Sequence, residues 1–390
     1  MAVAAALLAA GPAAALEVTT AILRVDYPEL LPISRLDLPP EDLGFAGATV
    51  ATEDNATTGA FMGQDYALRT LAAAPEEAGA AFDGLVAEGT RIVVVMARRD
   101  DLLAMADAAP EGTLILNARA ADDDLRGEAC RANVLHVAPS NRMLTDALAQ
   151  FLVSKRWTDW FLIYGSHPED RALAAAYEAS AAKFGAAVVE EREFADTGGA
   201  RMSDTGTVLV QRQIPVFTQD AARHDVVIAA DASDVFAPYL PYQTWDARPV
   251  AGSAGLRPVT WSAAHEGWGA TQLQRRFEEE AGRPMRPEDY QAWLALRAVG
   301  EAVTRTASAD PAAIRDYLLG PDFELAAFKG QPLTFRDWSG ELRQPILLTD
   351  GQVTISVSPQ EGFLHQVSPL DTLGIDRPES ACTAFGGSQG

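Results

Sequence analysis

Residues 91–96 read Arg-Ile-Val-Val-Val-Met, a nearly continuous run of apolar and mostly β-branched side chains. Such a run is typical of a central strand in a parallel sheet, because helices cover both faces of that kind of sheet. On one side of it, Pro75 begins a predicted helix that runs to Glu88 and ends at Gly89, and Leu102–Ala109 is a predicted helix on the other. This alternation of strands and helices predicts an α/β fold built on a parallel sheet.

The same alternation extends through most of the chain. Around the opening stretch, the pattern predicts a short helix over 45–54 and strands over 18–25, 65–71 and 113–116. A second series follows, with helices over 145–155 and 169–184 and strands over 160–164, 187–190 and 226–230. Further helices (287–305, 311–319) and short strands (333–335, 346–348, 353–357) precede a polar, irregular tail. Two series predict two lobes, with a hinge near residues 137–140.

Composition limits the classes of partner. The chain has 390 residues, and 31 lysines and arginines stand against 54 acidic residues, which gives a formal net charge of −23. A length of this kind corresponds to two domains, or to two lobes of one unit. The negative charge repels phosphate backbones and anionic lipid surfaces, so neither nucleic acid nor direct membrane insertion is predicted.

The first sixteen residues are almost wholly Ala, Leu and Val, with Ala13 and Ala15 at the spacing that a signal peptidase reads. The run is too short to span a bilayer, which needs about 20 residues. We interpret residues 1–16 as a signal peptide cleaved near Ala15, which predicts a periplasmic protein. The alternative interpretation is an Ala-rich N-terminal helix.

The two cysteines, Cys130 and Cys382, are separated by most of the chain. In an oxidising compartment a pair of this kind forms a disulfide, which would tie the C-terminal tail to the body of the protein. The alternative is two buried free thiols. Neither cysteine belongs to a CxxC pair, so the sequence favours neither redox catalysis nor structural zinc.

Enzyme signatures are absent from the sequence. It contains no GxxxxGK[ST] loop, no GxGxxG after the first strand and no GxSxG elbow. The five histidines are scattered, and the run Asp122-Asp123-Asp124 lacks the spacing of a calcium loop, so we interpret it as a solvated loop. We therefore predict no catalytic residues, no metal and no cofactor.

Polar residues follow several predicted strands, at the edge where ligands bind in open α/β sheets. They are predicted ligand-binding residues: Arg98, Arg99, Asp100, Asn117, Tyr164, His167 and Asp231. An arginine at a strand end can grip a carboxylate with two hydrogen bonds. The alternative for Arg98 and Arg99 is a pair of surface charges at a helix start.

Several segments together resemble type I periplasmic binding proteins, the class that includes the leucine and branched-chain amino-acid receptors of ABC transporters. Residues 47–59 are similar to the family's first helix and turn, 85–95 to its helix-to-strand step, and 133–140 to its crossing segment. Residues 54–59 and the pair Trp157 and Trp160 also resemble the branch that accompanies PQQ-dependent alcohol dehydrogenase systems.

The resemblance implies a two-lobed α/β receptor, with a mostly parallel sheet flanked by helices in each lobe, that closes on a small-molecule ligand by hinge motion and delivers it to an ABC permease. It implies a first lobe of residues 17–138 and 255–325, a second lobe with the hinge of 139–254 and 326–360, and a tail of 361–390. The family holds the ligand carboxylate with small hydroxyl residues, where this chain has Arg98 and Arg99. We therefore expect a small polar or anionic ligand, or a cleft filled by ion pairs.

Two other functions stay open at this point. The protein could be an accessory or sensory partner of a periplasmic dehydrogenase, using the same fold without transport. It could also be a hydrolase that uses Asp231, Asp234 and His167, although no nucleophile and base are paired in the sequence. The prediction is a receptor and not an enzyme.

Overall fold

The computed structural model describes residues 15–28, 38–197 and 209–385. Its first sheet has five parallel strands in the order β2-β1-β3-β4-β5. These strands are β1 (Leu16–Val25), β2 (Gln64–Ala73), β3 (Ile92–Met96), β4 (Leu114–Asn117) and β5 (Val134–His136). All five residues of β3 are buried and β3 is the middle strand, which confirms the prediction made from residues 91–96.

Helices cover both faces of this sheet. They are α1 (Phe45–Met62), α2 (Ala78–Ala87), α3 (Arg99–Ala108), α8 (Ala270–Ala281), α9 (Pro287–Thr306) and α10 (Pro311–Leu319). Alternate side chains of β3 enter opposite cores: Val94 packs with residues of α1, α8 and α9, whereas Val93 and Val95 pack with residues of α2 and α3. Helices α1 and α9 approach so closely that a Cβ added to Gly47 would lie 1.9 Å from the backbone oxygen of Asp289.

The second sheet has four parallel strands in the order β7-β6-β8-β9. These are β6 (Asp159–Gly165), β7 (Ala187–Phe194), β8 (Val226–Ala230) and β9 (Val250–Gly252). The helices of this lobe are α4 (Asn141–Ser154), α5 (Pro168–Phe184), α6 (Val210–Phe217) and α7 (Leu240–Gln243). Every residue of β8 is buried, as its apolar sequence predicts.

Two small antiparallel sheets complete the fold. The strands β10 (Arg257–Val259), β13 (Ile346–Thr349) and β14 (Thr354–Ser358) form one of them beside α4. The strands β11 (Thr334–Phe335) and β12 (Leu342–Arg343) form the other, and their apolar side chains belong to the core of the first sheet. As far as the end of β14, the described part of the chain therefore passes between the lobes three times, near residues 137–140, 259–261 and 343–346.

These contacts place some residues differently from the expected lobe boundaries. Leu333 and Phe335 belong to the core of the first sheet, and β10 pairs with β13 in the second lobe. We therefore propose boundaries near residues 137, 260 and 344 in place of those at 255 and 326. The predicted signal peptide lies almost wholly outside the described residues, and Leu16 begins β1.

The predicted bounds of three helices are wrong, and one of them is α4, which begins at Asn141 and not at Thr145. Helix α1 does not end near Asn55, because the side chain of Asn55 donates to the carbonyl of Leu296 in α9, and the helix continues to Met62. Helix α3 begins at Arg99 and not at Leu102, so Arg98 is its N-cap residue. The sequence analysis also missed α8, although Leu273 and Phe277 stand four positions apart on its buried face. Among the described residues, none of the helices has the length and apolar character that a membrane crossing needs.

Candidate functional site

A cavity of about 510 Å³ lies at the carboxyl edge of the first sheet. Its walls contain residues that follow three parallel strands: Tyr27 after β1, Arg119 after β4 and Ala138 after β5. The start of α9 and Leu144 of α4 complete the walls, so both lobes contribute to them. We name this space the candidate ligand cavity, because ligands of open α/β sheets bind beyond the carboxyl ends of the strands.

Tyr27 lies between two arginines in one wall of the cavity. The guanidinium carbon of Arg98 is 4.4 Å from the centre of the Tyr27 ring, and that of Arg119 is 5.1 Å from it. The hydroxyl of Tyr27 donates to the carboxylate of Asp101 and accepts from the backbone N–H of Arg98 at 2.9 Å. Burial, together with the hydrogen bond to Asp101, raises the pKa of Tyr27 to about 12, so the ring stays neutral and attracts both cations.

Three charged groups on two elements meet across the cavity. Arg119 donates to the carbonyl of Val25 at 3.3 Å, and Arg286 donates to the carbonyl of Leu38 at 3.0 Å. Glu288, in the first turn of α9, is half-buried, and burial raises its pKa while the charges of Arg119 and Arg286 oppose that rise. The arrangement offers guanidinium donors to an anionic group and one carboxylate as an acceptor.

Arg24 also lines the cavity, but its hydrogen-bonding capacity is used by the protein. Its Nε and Nη2 donate to the two carboxylate oxygens of Asp26 at 2.6 and 3.2 Å. Its Nη1 donates to the carbonyls of Glu41 and Leu43, both at 2.9 Å. Arg24 therefore holds the loop at residues 41–43 in place as part of the cavity wall.

None of the seven predicted ligand-binding residues is in the wall of this cavity. In the first lobe, Arg99 pairs with Asp124 and Asp100, and these carboxylates raise its pKa. The pairing agrees with the alternative of surface charges at a helix start, and it gives Asp124 in the acidic run a partner within the protein. Arg98 is exposed and stacks on Tyr27.

Asn117 is fully buried, and its amide organises the loop that carries Arg119. Its Nδ2 donates to the carbonyl of Ala120 at 2.8 Å and lies 3.0 Å from Nδ1 of His136. Its Oδ1 accepts from the backbone N–H groups of Arg119 and Ala120 at 3.0 and 2.9 Å. Asn117 thus supports the cavity through Arg119, and its direct contact with a ligand stays a prediction.

In the second lobe, the predicted residues make contacts within the protein. The carboxylate of Asp231 accepts from the backbone N–H groups of Val235, Phe236 and Ala237 at 2.7–2.8 Å. Burial raises the pKa of Asp231 above its usual value, and these hydrogen bonds offset only part of that rise.

The other two residues of this lobe lie near its helices. His167 precedes α5 and its Nε2 lies 3.0 Å from Oδ2 of Asp196, a hydrogen bond that raises the pKa of His167. Tyr164 is half-buried and packs against the core beside α4 and α5. Ligand contact by these residues also stays a prediction.

The residues that line the cavity are not among the predicted ligand-binding residues. Arg119 stands two positions after Asn117 at the same strand end, so its position carried a usable signal. Arg286 and Glu288 are more than 160 residues away in the sequence from Arg119, and no local pattern connects them to it.

The predicted disulfide is present in the structure, with the Cα atoms of Cys130 and Cys382 5.6 Å apart. It joins the loop before β5 to the C-terminal tail. Among the described residues, no group of three or more His, Cys, Asp or Glu side chains could hold a metal ion.

The fold is similar to solved structures of ligand-binding and substrate-binding proteins. A leucine-, isoleucine-, valine-, threonine- and alanine-binding protein from Brucella ovis, in a closed conformation, has a TM-score of 0.72 at 13% identity, with 95% of this chain and 99% of that chain covered. A branched-chain amino acid ABC transporter periplasmic ligand-binding protein from Burkholderia xenovorans has a TM-score of 0.70 at 15% identity, with coverage of 94% and 100%.

A third similar structure is an ABC transporter substrate-binding protein from Desulfitobacterium hafniense in complex with Leu. It has a TM-score of 0.67 at 16% identity, with 88% of this chain and 100% of that chain covered. No curated protein sequence matches the chain at a significant level.

The family model described as periplasmic binding protein matches residues 46–352, which is most of the chain and includes both parallel sheets apart from β1. Together with the two-lobed α/β fold, this match confirms the family indicated by the resemblance in the sequence. The chain belongs to the periplasmic binding protein family.

Proposed function

We propose that this protein is the periplasmic receptor of an ABC transporter and binds a small polar ligand with an anionic group in the candidate ligand cavity. The observation that carries the proposal is the position of Arg119 and Arg286 beside Glu288 in a cavity with walls from both lobes. A guanidinium forms two parallel hydrogen bonds with a planar carboxylate, which favours carboxylates over neutral analogues.

The position of the cavity supports binding by hinge closure. Its wall includes Ala138 and Pro139 in the first crossing between the lobes and Leu144 in α4 of the second lobe. Rotation of one lobe about the crossings would change the distance between Leu144 and the arginines of the first lobe. A ligand that contacts both sides would then favour the closed arrangement.

The direct test measures ligand binding by thermal shift and calorimetry. The panel contains small monocarboxylates, zwitterionic amino acids, and the matched neutral amides and alcohols. A carboxylate present at a concentration of 100 times its Kd should raise the free energy of unfolding by about 2.7 kcal/mol. Its neutral amide at the same concentration should not. A panel in which no carboxylate binds would contradict the proposal.

A matched pair of variants tests the site itself. Arg119→Met should weaken carboxylate binding about 30-fold or more, because truncating one partner of a buried hydrogen-bonded charge pair costs about 2–5 kcal/mol. Arg69→Met removes the same charge from an exposed position on β2 and should leave the affinity unchanged. Equal affinity of both variants would place the ligand elsewhere.

Delivery to an inner-membrane permease is the further part of the proposal, and the names of the similar ABC transporter proteins from Burkholderia xenovorans and Desulfitobacterium hafniense support it. Reconstituted transport with a permease encoded beside this protein would test it. The accessory role in a PQQ-dependent alcohol dehydrogenase system and the hydrolase activity stay predictions.

A further inference from the structure

The last described part of the chain, residues 359–385, lies outside the stretch that matches the family model, which ends at residue 352. We name this segment the C-terminal strap. It follows β14 in the second lobe and contains three short 3-10 turns, at Glu361–Phe363, Pro369–Thr372 and Arg377–Glu379. Its contacts are made successively to the second lobe, the crossing segments and the first lobe.

The strap is held to the second lobe at residues 372–374. Nζ of Lys183 in α5 donates to the carbonyls of Thr372 and Gly374 at 2.9 and 3.0 Å. The backbone N–H of Gly374 donates to Asp146 of α4 at 2.9 Å, and Lys183 pairs with the same carboxylate at 2.7 Å. These contacts form an anchor around the fully buried carboxylate of Asp146, although Lys183 itself is partly exposed.

The strap also contacts the crossing segments through Asp371. Its carboxylate pairs with Arg336 at 3.1 Å and with Arg343 at 2.7 Å, just before the third crossing. Arg336 pairs in turn with Glu341, and Oε1 of Glu341 accepts from the backbone N–H of Ser140 in the first crossing at 3.0 Å. Asp371 thus belongs to a buried ionic network that connects two of the three crossings.

Beyond this network, the strap reaches the first lobe and is bonded to it. Cys382 forms the disulfide with Cys130, and the side chain of Phe385 lies 5.5 Å from the guanidinium of Arg315 in α10. Only seven residues, 375–381, lie between the anchor at Gly374 and the disulfide at Cys382, which is eight steps along the backbone. An extended segment of eight residues spans at most about 28 Å, and the 3-10 turn at 377–379 shortens it further.

We propose that the C-terminal strap is a fourth, covalently closed connection between the lobes and that it limits their relative motion. Because the chain crosses between the lobes three times before it, β14 lies in the second lobe. The strap then runs back to the first lobe, where the disulfide holds it. With both ends held, a change in lobe orientation has to be absorbed by residues 375–381 or has to break the contacts of Lys183 and Asp371. The strap therefore restricts the hinge in the oxidised protein.

The experiment compares the full-length oxidised protein with the C130S/C382S double variant, without ligand, by hydrogen exchange and small-angle scattering. Exchange at residues 137–140 and 343–346 should rise about tenfold or more in the variant, since local opening there no longer has to move the strap. The distribution of radii of gyration should broaden as well. Arg377→Gln is the matched control, because it removes an exposed pair between the middle of the strap and Asp337 and leaves both ends of the strap held.

A second variant, Lys183→Met, releases the other end of the strap while the disulfide stays intact. It should raise exchange at the same two crossings, and it decides the question if the cysteine variant fails to fold. A lower melting temperature of C130S/C382S with unchanged exchange at the crossings would overturn the proposal, because the disulfide would then act only by confining the unfolded chain. Unchanged exchange in Lys183→Met would overturn it equally. These measurements need no ligand, so they are independent of the proposed function.

Discussion

Two pairs of arginines in this protein have different surroundings. Arg126 and Arg336 lie at the hinge and are fully buried among the carboxylates and carbonyls of neighbouring segments. Arg119 and Arg286 line the cavity at the edge of the first sheet and are half-buried. The same side chain thus holds the protein together in one place and faces a potential ligand in the other.

Solvation explains the difference. A guanidinium withdrawn from water needs protein acceptors around it, and Arg126 donates to the carbonyls of Ala120, Asp122 and Ala138. A half-buried guanidinium keeps contact with solvent, and a ligand oxyanion can replace that water. Full burial therefore distinguishes the hinge arginines Arg126 and Arg336 from Arg119 and Arg286, which line the cavity.

The largest effect is expected at the hinge. Arg336→Met should lower the free energy of unfolding by about 3–5 kcal/mol, because it removes one of the two cations beside each of the buried carboxylates of Glu341 and Asp371. Urea unfolding measures the change. Arg377→Gln removes a pair that is half exposed on both sides and should cost no more than about 1 kcal/mol. Equal costs for the two variants would contradict the distinction between buried and exposed arginines.

The next effect concerns Asp231, a predicted ligand residue whose carboxylate accepts three backbone N–H groups. Asp231→Asn replaces one acceptor oxygen by a donor and should cost about 1–3 kcal/mol of stability, with ligand affinity unchanged. Asp246→Asn, at an exposed position in the same lobe, is the control. A loss of affinity without loss of stability would show that Asp231 contacts the ligand after all.

A smaller effect is expected from the ring that supports the cavity arginine. Tyr27→Leu removes the aromatic face beside Arg119 and should weaken ligand binding about 3- to 30-fold, in line with about 0.5–2 kcal/mol for a cation–π contact. Tyr27→Phe keeps the ring and should bind more tightly than Tyr27→Leu. Calorimetry of both variants provides the comparison, and equal weakening in the two would assign the effect to the hydroxyl, which both variants lack.

The smallest effect is a pH dependence beside the hinge. Burial raises the pKa of Asp123 to about 7, while its carboxylate accepts from the backbone N–H of Arg142 at 2.9 Å. Since the folded state holds this proton more tightly than the unfolded state, the contribution of Asp123 to stability is lost as pH rises from about 4 to 7.

The Asp123→Asn variant should lack that loss. Relative to this variant, the free energy of unfolding of the wild-type protein should fall by about 1 kcal/mol between pH 4 and pH 8. The expected fall is this small because Asp123 is only half-buried, so solvent screens its charge. Urea unfolding at both pH values measures the difference. Parallel stability curves for the two proteins would rule out titration of Asp123 in this range.

The elements that sequence reasoning placed correctly have strong local signals. The strand at 226–230 and the helix at 311–319 have the predicted bounds, because a continuous apolar run and a Pro at the helix start are local features. Helix α1 is longer than predicted because Asn55 bonds to α9, a partner about 240 residues away. The candidate site was harder to predict for the same reason, since its charged groups come from distant segments.

The sequence by itself determined the alternation of strands and helices, the two lobes and the family resemblance. For the two cysteines it left two alternatives, a disulfide or a pair of free thiols. Each of these depends on periodicity, composition or residue order along the chain. The tertiary structure alone decided which arginines are enclosed by protein acceptors and which line a cavity. Burial and hydrogen-bond saturation depend on segments brought together by folding, so residues with the same local pattern acquire different chemical roles.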